Sequence, residues 1–358
     1  MKSTKNIGSI DSTSDLARRL QLSRWTISRV LNGHAGVSPA TVRRVKEAMR
    51  ELGFAPNPLA SGLRKGKTNI IGVCIPEIER LHLAQKLEFL RQSLTAEGCH
   101  VMMGVTNGDV NEEAETLNRF RTLHAAGVIL FASRLSSRSG PVRAVHESGI
   151  PLISVDPVVP LAKGSISVDR SIGTREAVEH LFELGHRRVI ALGLEHAGFY
   201  TSSRLAGIAS AYQARGWNAE RNICKLPLPA QIDSAFAQGF EVAGAVWEKA
   251  REEGGYTAVM ALNDRVAIGL VDGLRALGVR VPEDLSLVGY DNMDVCSYML
   301  PRLTSIDAQP DELVRQATEC LLSQIRNAQE AQTPPPIATR LIVRESTGPA
   351  RPGIALIE

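Results

Sequence analysis

The residues of this chain best suited to chemistry lie together near its start, in the segment LSRWTISRVLN. Seven of them have polar, charged or aromatic side chains: Ser23, Arg24, Trp25, Thr26, Ser28, Arg29 and Asn32. Arg24 is suited to donate two hydrogen bonds to guanine, and Trp25 to pack on a thymine methyl group or a sugar. Serine, threonine and asparagine side chains bond to phosphates or bases. Together these types indicate a surface that reads double-stranded DNA.

The elements that must position these side chains follow from apolar spacing and from serine N-caps. We predict helices over residues 15–20, 23–31 and 39–53, each with a serine at or before its start. In the second helix, Ile27 and Val30 are spaced to face the other two helices. A helix, a short turn and a second capped helix form helix-turn-helix geometry, with the second helix in the major groove. A generic helical pair with one polar face would show the same periodicity.

The charge of the chain is unevenly distributed. The first 67 residues contain 13 lysines and arginines against 4 acidic residues, whereas the whole chain has 41 against 38. A basic head on an acidic body is typical of a protein whose head meets a polyanion. A solvated basic tail is the simpler alternative, but this head is also patterned.

The sequence lacks the motifs that are typical of metal sites, enzymes, and secreted or membrane proteins. The five cysteines are widely spaced without a CxxC pair, which predicts reduced thiols and no metal site. We find no GxSxG, P-loop or dinucleotide fingerprint, so no catalytic residue and no cofactor are expected. The N-terminus is not a signal peptide, and no apolar run reaches the ~20 residues needed to span a membrane. A cytoplasmic, nucleoid-associated protein is expected.

Beyond the head, the pattern changes to that of an α/β protein. A segment rich in proline, glycine and lysine over 57–67 reads as a linker, and apolar runs such as IIGVCI, GVILFA and LSLVGY then alternate with helical stretches. Continuous apolar strands between helices predict parallel sheets covered on both faces, and this length predicts two lobes. We therefore predict an all-α helix-turn-helix domain over 1–56, a hinge over 57–67 and a two-lobed body over 68–358. Lobe one is expected at about 68–168 plus 304–330, and lobe two at about 169–300 plus 331–350.

The head resembles the LacI/GalR family of bacterial repressors. The stretch LSRWTISRVLN, followed by GVSPATVRRVKEAMRELGFAPNPLASGLRKGKTNIIGV, matches the family pattern of a VS..TVSRVLN helix followed by LGY.PN..AR.LR. The resemblance implies a hinge helix that forms on DNA and inserts Leu63 into the minor groove of a palindromic operator. Asn57, Ala60 and Arg64 complete the hinge contacts that it implies. One departure from the family pattern is Gln21, which stands where the family has glycine. A glutamine in the left-handed conformation costs roughly 1 kcal/mol.

The resemblance continues through the body, in VEHLFELGHRRVIALG and in TAVMALNDRVAIGLVDGLRALGVRVPEDLSLVGYDN. It implies a periplasmic-binding-protein-like pair of lobes with a small-molecule effector between them, beyond the carboxyl ends of the strands. Asp156, Asn263 and Asp291 follow predicted strands, and Arg204 matches an arginine that reaches the effector in sugar-binding members. Asp and Asn are also common as caps and turns, and we expect Asp264 to be mainly structural.

The pocket sequence departs from the family in the first lobe. The common PDISNPFFA reads PEIERLHLA here, which makes Glu79, Arg80 and His82 candidates for effector contacts. Arg134 follows another strand, and Arg170 stands where asparagine is usual.

These arginines raise the question of the effector's charge. Arg80, Arg134 and Arg204 converging on one cleft would favour an acidic effector, such as a sugar acid or a sugar phosphate. Asp307 is a further candidate for effector binding. The alternative is that Glu79, Asp156 or Asp307 pairs with the arginines and the ligand is neutral.

The sequence thus predicts a ligand-responsive transcriptional regulator, a homodimer that an effector releases from its operator. A corepressor-type regulator of the same family remains open. A transport-type sugar-binding protein would share the body but lack the basic head, and an enzyme would need a catalytic motif.

Overall fold

The structure is a computed structural model that describes residues 12–31, 35–54, 68–77, 81–194, 199–252, 254–327 and 333–351. Their internal contacts divide the chain into two units, Met1–Asn69 and Ile70–Glu358. In the described part of the chain, no helix is both long enough and apolar enough to cross a membrane.

Serine caps begin the three helices of the first unit. They are α1 (Thr13–Leu20), α2 (Arg24–Leu31) and α3 (Pro39–Glu51). The Ser12 and Ser38 hydroxyls each accept a backbone N–H of the first turn at 3.2 Å, from Asp15 and Thr41 respectively. This satisfies donors that a helix N-terminus otherwise leaves unpaired. The predicted helices are confirmed to within two residues at each end.

A small apolar core joins these helices. Its buried members are Leu16, Ala17, Leu20, Ile27, Val30, Val45, Ala48 and Phe54. The turn from α1 to α2 passes through Gln21, whose φ of 49° and ψ of 42° are left-handed, as expected for the family's glycine position. The Leu22 N–H then donates to the Ala17 carbonyl at 3.0 Å, which closes the C-terminus of α1.

The first lobe of the second unit contains a five-stranded parallel sheet in the order β2-β1-β3-β4-β5. Its strands are β1 (Ile70–Ile75), β2 (His100–Val105), β3 (Gly127–Phe131), β4 (Leu152–Val155) and β5 (Ser165–Ile166). The intervening helices are α4 (Leu81–Ala96), α5 (Val110–Thr122) and α6 (Gly140–Glu147). The central strands are buried along their whole length, which explains their continuous apolar runs.

The remaining elements follow in chain order. They are β6 (Val168–Asp169), α7 (Arg170–Glu183), β7 (Val189–Leu192), α8 (Phe199–Ala214), α9 (Ala219–Asn222), β8 (Ile223–Leu226), α10 (Ala235–Glu241), α11 (Ala243–Arg251), β9 (Ala258–Ala261), α12 (Asp264–Ala276), β10 (Ser286–Tyr290), a 3-10 turn (Asp294–Ser297), β11 (Thr304–Asp307), α13 (Pro310–Asn327), β12 (Ile337–Ala338) and β13 (Arg340–Ile342). Lobe two contains a six-stranded sheet in the order β13-β11-β10-β9-β7-β8, in which only β13 runs antiparallel to its neighbour. The two-lobed α/β architecture is therefore confirmed.

The boundary expected near residue 304 is corrected by the strand pairing. β11 pairs in parallel with β10, with Thr304 opposite Val288, so it belongs to lobe two. Lobe one instead regains the chain at α13, whose Leu313, Val314 and Leu321 lie in the same buried cluster as strands β1, β3 and β4. After α13, the chain continues into β12, which pairs in parallel with β6.

Two glycines allow α10 and α12 to pack closely. A Cβ added at Gly239 would collide with the Val266 carbonyl oxygen, and one at Gly269 would collide with the Phe236 carbonyl oxygen. The backbones of the two helices therefore approach to a distance that no larger residue permits at these positions.

Candidate functional site

Helix α2 is fixed by its cap and by its apolar face. The Ser23 hydroxyl accepts the Thr26 N–H at 3.0 Å and lies 2.8 Å from the Thr26 hydroxyl. Ile27 and Val30 are buried in the core of the first unit. Ser23 and Thr26 are thus used, at least in part, to start the helix, although both were predicted as DNA contacts.

The opposite face of α2 is open. Arg24, Trp25 and Ser28 are exposed, and Trp25 is 62% exposed. The Arg29 guanidinium lies over the Trp25 ring, 4.7 Å from its centroid. The predicted contacts Asn32, Asn57, Ala60, Leu63 and Arg64 lie outside the described residues.

The second candidate site is a cleft of about 530 Å³ between the two lobes. Lobe one contributes the ends of β1, β3 and β4, and lobe two contributes α7, α8 and the ends of β9 and β10. Because parallel strands present their carboxyl ends at one edge of a sheet, the loops of both sheets meet there. Four predicted effector residues line this cleft: Asp156, Arg204, Asn263 and Asp291.

An ion pair joins the two lobes inside the cleft. The Arg170 guanidinium binds the Asp156 carboxylate, and the two side chains are 7% and 18% exposed. Tyr200 of α8 completes the arrangement, because its hydroxyl donates to the Asp156 carbonyl at 2.6 Å and its ring lies 4.2 Å from the Arg170 guanidinium carbon. Burial lowers the pKa of Arg170, but Asp156, Tyr290 and Tyr200 together outweigh it, and the pKa is raised.

Arg204 is held in the cleft by an aromatic ring. Its guanidinium carbon lies 3.6 Å from the centroid of Tyr290, and its Nη1 donates to the Leu262 carbonyl. Tyr290 is 3% exposed at the end of β10. The stack orients the guanidinium plane and leaves its edge for a ligand.

Several buried polar atoms of the cleft have no hydrogen-bond partner among the described residues. They are Asp156 Oδ1, Arg170 Nε, Arg204 Nε and the Tyr290 hydroxyl oxygen. Buried polar atoms are normally hydrogen-bonded, so an unpartnered set at one site marks a place for a polar molecule. Donors and an acceptor occur together, which suits a ligand that both accepts and donates hydrogen bonds.

Two of the predicted effector residues at strand ends also have structural roles. The Asn263 side chain accepts the Val266 N–H at 3.0 Å and caps α12. Asp291 has a positive φ of 104°, which turns the chain out of β10.

Asp264 lies fully buried behind the cleft, as expected for a structural residue. It accepts the Met293 N–H at 2.7 Å and the Ser305 hydroxyl at 2.6 Å. Burial and the nearby Asp291 raise its pKa to about 7, although both hydrogen bonds oppose the rise.

Two other predicted effector residues, Arg134 and Asp307, are described and do not line this cleft. Arg134 is exposed, and its backbone N–H donates to Glu113 at 3.3 Å. Asp307 lines a separate surface depression, where Arg340 donates to its carboxylate at 3.0 and 3.1 Å. Glu79 and Arg80 lie outside the described residues, and so does the side chain of His82 in α4. Of the expected arginines, Arg204 lines the cleft and Arg134 does not, and Arg170 and Arg265 line it as well.

Sequence reasoning did not place Arg170, Tyr200 or Tyr290 among the site residues. For Arg170 the sequence did contain a signal, because an arginine stands directly after the run SVD, where the family usually has asparagine. Tyr200 and Tyr290 carried no local signal. In the described part of the chain, no group of three or more histidine, cysteine or acidic residues is placed to hold a metal ion.

Comparisons with known proteins match both units. Residues 13–57 match the family described as bacterial regulatory proteins, lacI family, and residues 178–347 match a periplasmic binding protein-like domain. Catabolite control protein A of Priestia megaterium is 26% identical over 297 residues, which cover 82% of this chain and 86% of that protein.

Solved structures show the same architecture. The Lac repressor dimer bound to operator and the anti-inducer ONPF matches with a TM-score of 0.79 and 25% identity, over 94% of this chain and 99% of that one. The transcriptional regulator CelR in complex with cellobiose matches with a TM-score of 0.64 and 25% identity, over 94% of this chain and 100% of that one. The chain therefore combines a lacI-family helix-turn-helix domain with a periplasmic binding protein-like domain, and it is a ligand-responsive, DNA-binding regulator of transcription rather than an enzyme.

Proposed function

We propose that this regulator is a cytoplasmic repressor that binds a palindromic operator as a homodimer and leaves it when a small neutral carbohydrate enters the cleft. The observation that carries this proposal is the unpartnered polar set between the lobes, with both hydrogen-bond donors and an acceptor in one buried place. A hydroxyl group donates to Asp156 Oδ1 and accepts from Arg170 or Arg204, so adjacent hydroxyl groups of a sugar match this set.

The charges of the cleft support a neutral effector over an acidic one. Of the described residues that line it, three are arginines and four are carboxylates: Arg170, Arg204, Arg265, Glu77, Asp156, Asp233 and Asp291. Arg170 is already paired with Asp156. An acidic ligand would add a further negative charge to a lining without an excess of positive charge. The solved CelR complex contains cellobiose, a neutral sugar.

Exposed apolar surface supports a homodimer. Phe236, Phe240, Met299 and Leu300 line one shallow depression on lobe two, and Leu300 is 82% exposed. Apolar surface of this kind is typical of protein interfaces. The matched Lac repressor structure is a dimer.

A pull-down from sheared genomic DNA of the source tests the proposal. The full chain should retain palindromic sites beside genes for carbohydrate use, and adding the matching neutral sugar should release them. Retention that increases with the sugar would make the protein a corepressor-type regulator instead. Release by a sugar acid or phosphate alone would overturn the neutral effector, and the absence of any enriched palindrome would overturn operator binding.

A further inference from the structure

Trp25 and Arg29 contact each other on helix α2, where Trp25 is 62% exposed and Arg29 is half-buried. A helix turns about 100° per residue, so each of these positions lies about 200° around the helix from the fully buried Ile27. Both positions therefore lie on the side of the helix opposite Ile27. Any molecule that α2 reads along its open face meets this pair.

The two side chains contact each other before any ligand arrives. They are four residues apart, the spacing at which helix side chains meet, and the Arg29 guanidinium lies over the Trp25 ring. Gly36 makes room for this conformation, because a Cβ there would lie 3.2 Å from Arg29 Nη2. Its φ of 98° also disfavours any larger residue. The pair is thus preorganised by the fold of the first unit.

The charge of Arg29 is not compensated by the described residues of the first unit. Within residues 12–31 and 35–54, no carboxylate forms an ion pair with it. Its Nε is buried without a hydrogen-bond partner. Since stacking uses only the face of the guanidinium, its terminal Nη1 and Nη2 groups, rather than the buried Nε, are the donors for a planar acceptor.

The complementary surface on DNA has two parts. Guanine presents N7 and O6 in the major groove, spaced for two N–H donors of one guanidinium. Thymine presents a methyl group there, the one apolar group of the four bases in that groove. An exposed indole beside a guanidinium matches a thymine methyl beside a guanine.

We propose that Trp25 and Arg29 act as one reader of a thymine–guanine step, in which Trp25 covers the thymine methyl group and holds Arg29 against the adjacent guanine. This inference rests on the DNA-binding function of α2. It assigns Trp25 a positioning role toward Arg29 in addition to its own base contact.

The test begins with the full-length protein and a library of random DNA duplexes. In the most enriched duplex, each thymine is replaced in turn by deoxyuridine, which removes only the methyl group. We expect that each half-site contains one thymine, next to a guanine, at which the replacement matters. Replacing this thymine should weaken binding by about fourfold, the factor for one buried methyl group. The same replacement should have no effect on Trp25→Ala, while Trp25→Phe should retain it.

A second variant tests the guanine contact with the charge kept. Arg29→Lys should lose about 5- to 150-fold in affinity for the enriched duplex, with little change on a scrambled duplex of the same length. Arg50→Lys, an exposed arginine of α3, is the matched control and should bind both duplexes like the parent protein.

Three results would overturn the reader. They are deoxyuridine duplexes that all bind like the parent, a methyl effect that persists in Trp25→Ala, and an equal loss on both duplexes for Arg29→Lys. A library without any enriched duplex would instead overturn the DNA-binding function itself, so the two failures are distinguishable.

Discussion

The guanidinium of Arg170 and the carboxylate of Asp156 tie lobe two to lobe one inside the cleft. Arg170 is the first residue of α7, and Asp156 follows β4 with a positive φ of 49°. Each side chain also retains a buried polar atom without a partner. The pair is therefore both a link between the lobes and a part of the surface that a ligand meets.

The stability of this link is testable with a double-mutant cycle. Asp156→Leu should lower the free energy of unfolding by about 3–5 kcal/mol, because it leaves the buried guanidinium without its counter-charge. Adding Arg170→Met should restore most of that loss, since a pair of apolar side chains carries no desolvation penalty. Urea unfolding of the two single variants and the double variant measures the coupling. Strictly additive losses would show that the two side chains do not stabilise each other.

Replacing Arg204 should separate ligand response from DNA binding. Arg204→Ala should weaken effector binding by about 10- to 150-fold, the range for a hydrogen bond to a charged group, because its guanidinium edge faces the cleft. Operator affinity without effector should stay unchanged. Fluorescence anisotropy of labelled operator, titrated with the releasing sugar, measures both quantities. Arg119→Ala on the exposed face of α5 is the control, and a variant at Arg204 that still responds normally would remove this residue from the site.

Asp264 should make stability depend on pH. Its pKa in the fold is about 7 against an ordinary value of 3.8, so the folded state holds a proton that the unfolded state has released. The stabilisation is complete below about pH 4 and is lost as the pH rises through about 7, an effect on the order of 4 kcal/mol.

The comparison for Asp264 is the variant Asp264→Asn. Its amide oxygen can accept the Met293 N–H while its NH2 group donates to Ser305. The free energy of unfolding of the parent minus that of the variant should fall from pH 4.5 to pH 7.5 in urea titrations. Parallel pH profiles would contradict the raised pKa, and the exposed Asp311→Asn should give such parallel profiles.

Two glycine-to-alanine variants test the close contact of α10 with α12. Gly269→Ala should lower the free energy of unfolding by about 1–3 kcal/mol, because the new methyl group collides with the Phe236 carbonyl. Gly244→Ala in α11 meets no atom within 4 Å and should raise stability by up to about 1 kcal/mol. Thermal unfolding measures both, and an unchanged melting temperature for Gly269→Ala would show that the helices can separate freely.

Leu63, a residue outside the described part of the chain, is predicted to act as a wedge by the family resemblance. Leu63→Ala should weaken binding to the selected operator by about 10- to 150-fold, the factor for burial of a leucine side chain, with much less effect on random DNA. Leu59→Ala in the same segment serves as the comparison. An equal loss on operator and random DNA would remove the wedge role.

The head was predictable because its determinants are local. Serines at residues 12, 23 and 38 start helices whose apolar spacing points Ile27 and Val45 into the core. The left-handed Gln21, by contrast, was expected only from the family resemblance, because it stands at the family's glycine position. The apolar runs of the body became strands for the same reason, since a continuous buried run has few alternatives between two helices.

The cleft was less predictable because its partners are distant in sequence. The Asp307 carboxylate, expected in the cleft, turns to Arg340 on a strand 33 residues later. Arg170 binds Asp156 of the other lobe, and no periodicity in the sequence indicates this contact. The lobe boundary was misplaced for a related reason, because β11 and α13 are neighbours in the chain but belong to different lobes.

The position of α13 has a consequence for biosynthesis. Lobe one begins at Ile70, yet the helix that covers one face of its sheet ends only at Asn327. At about 5–20 residues per second, roughly 10–35 s pass between synthesis of β4 and synthesis of α13. During that interval Leu90 and Leu94 of α4 are present to cover this apolar face but the residues of α13 are not, whereas every core residue of the head, up to Phe54, has already been synthesised. In a nascent chain the core of the head is therefore complete while both lobes are still unfinished, so the body is the part of the chain that exposes apolar surface for longer.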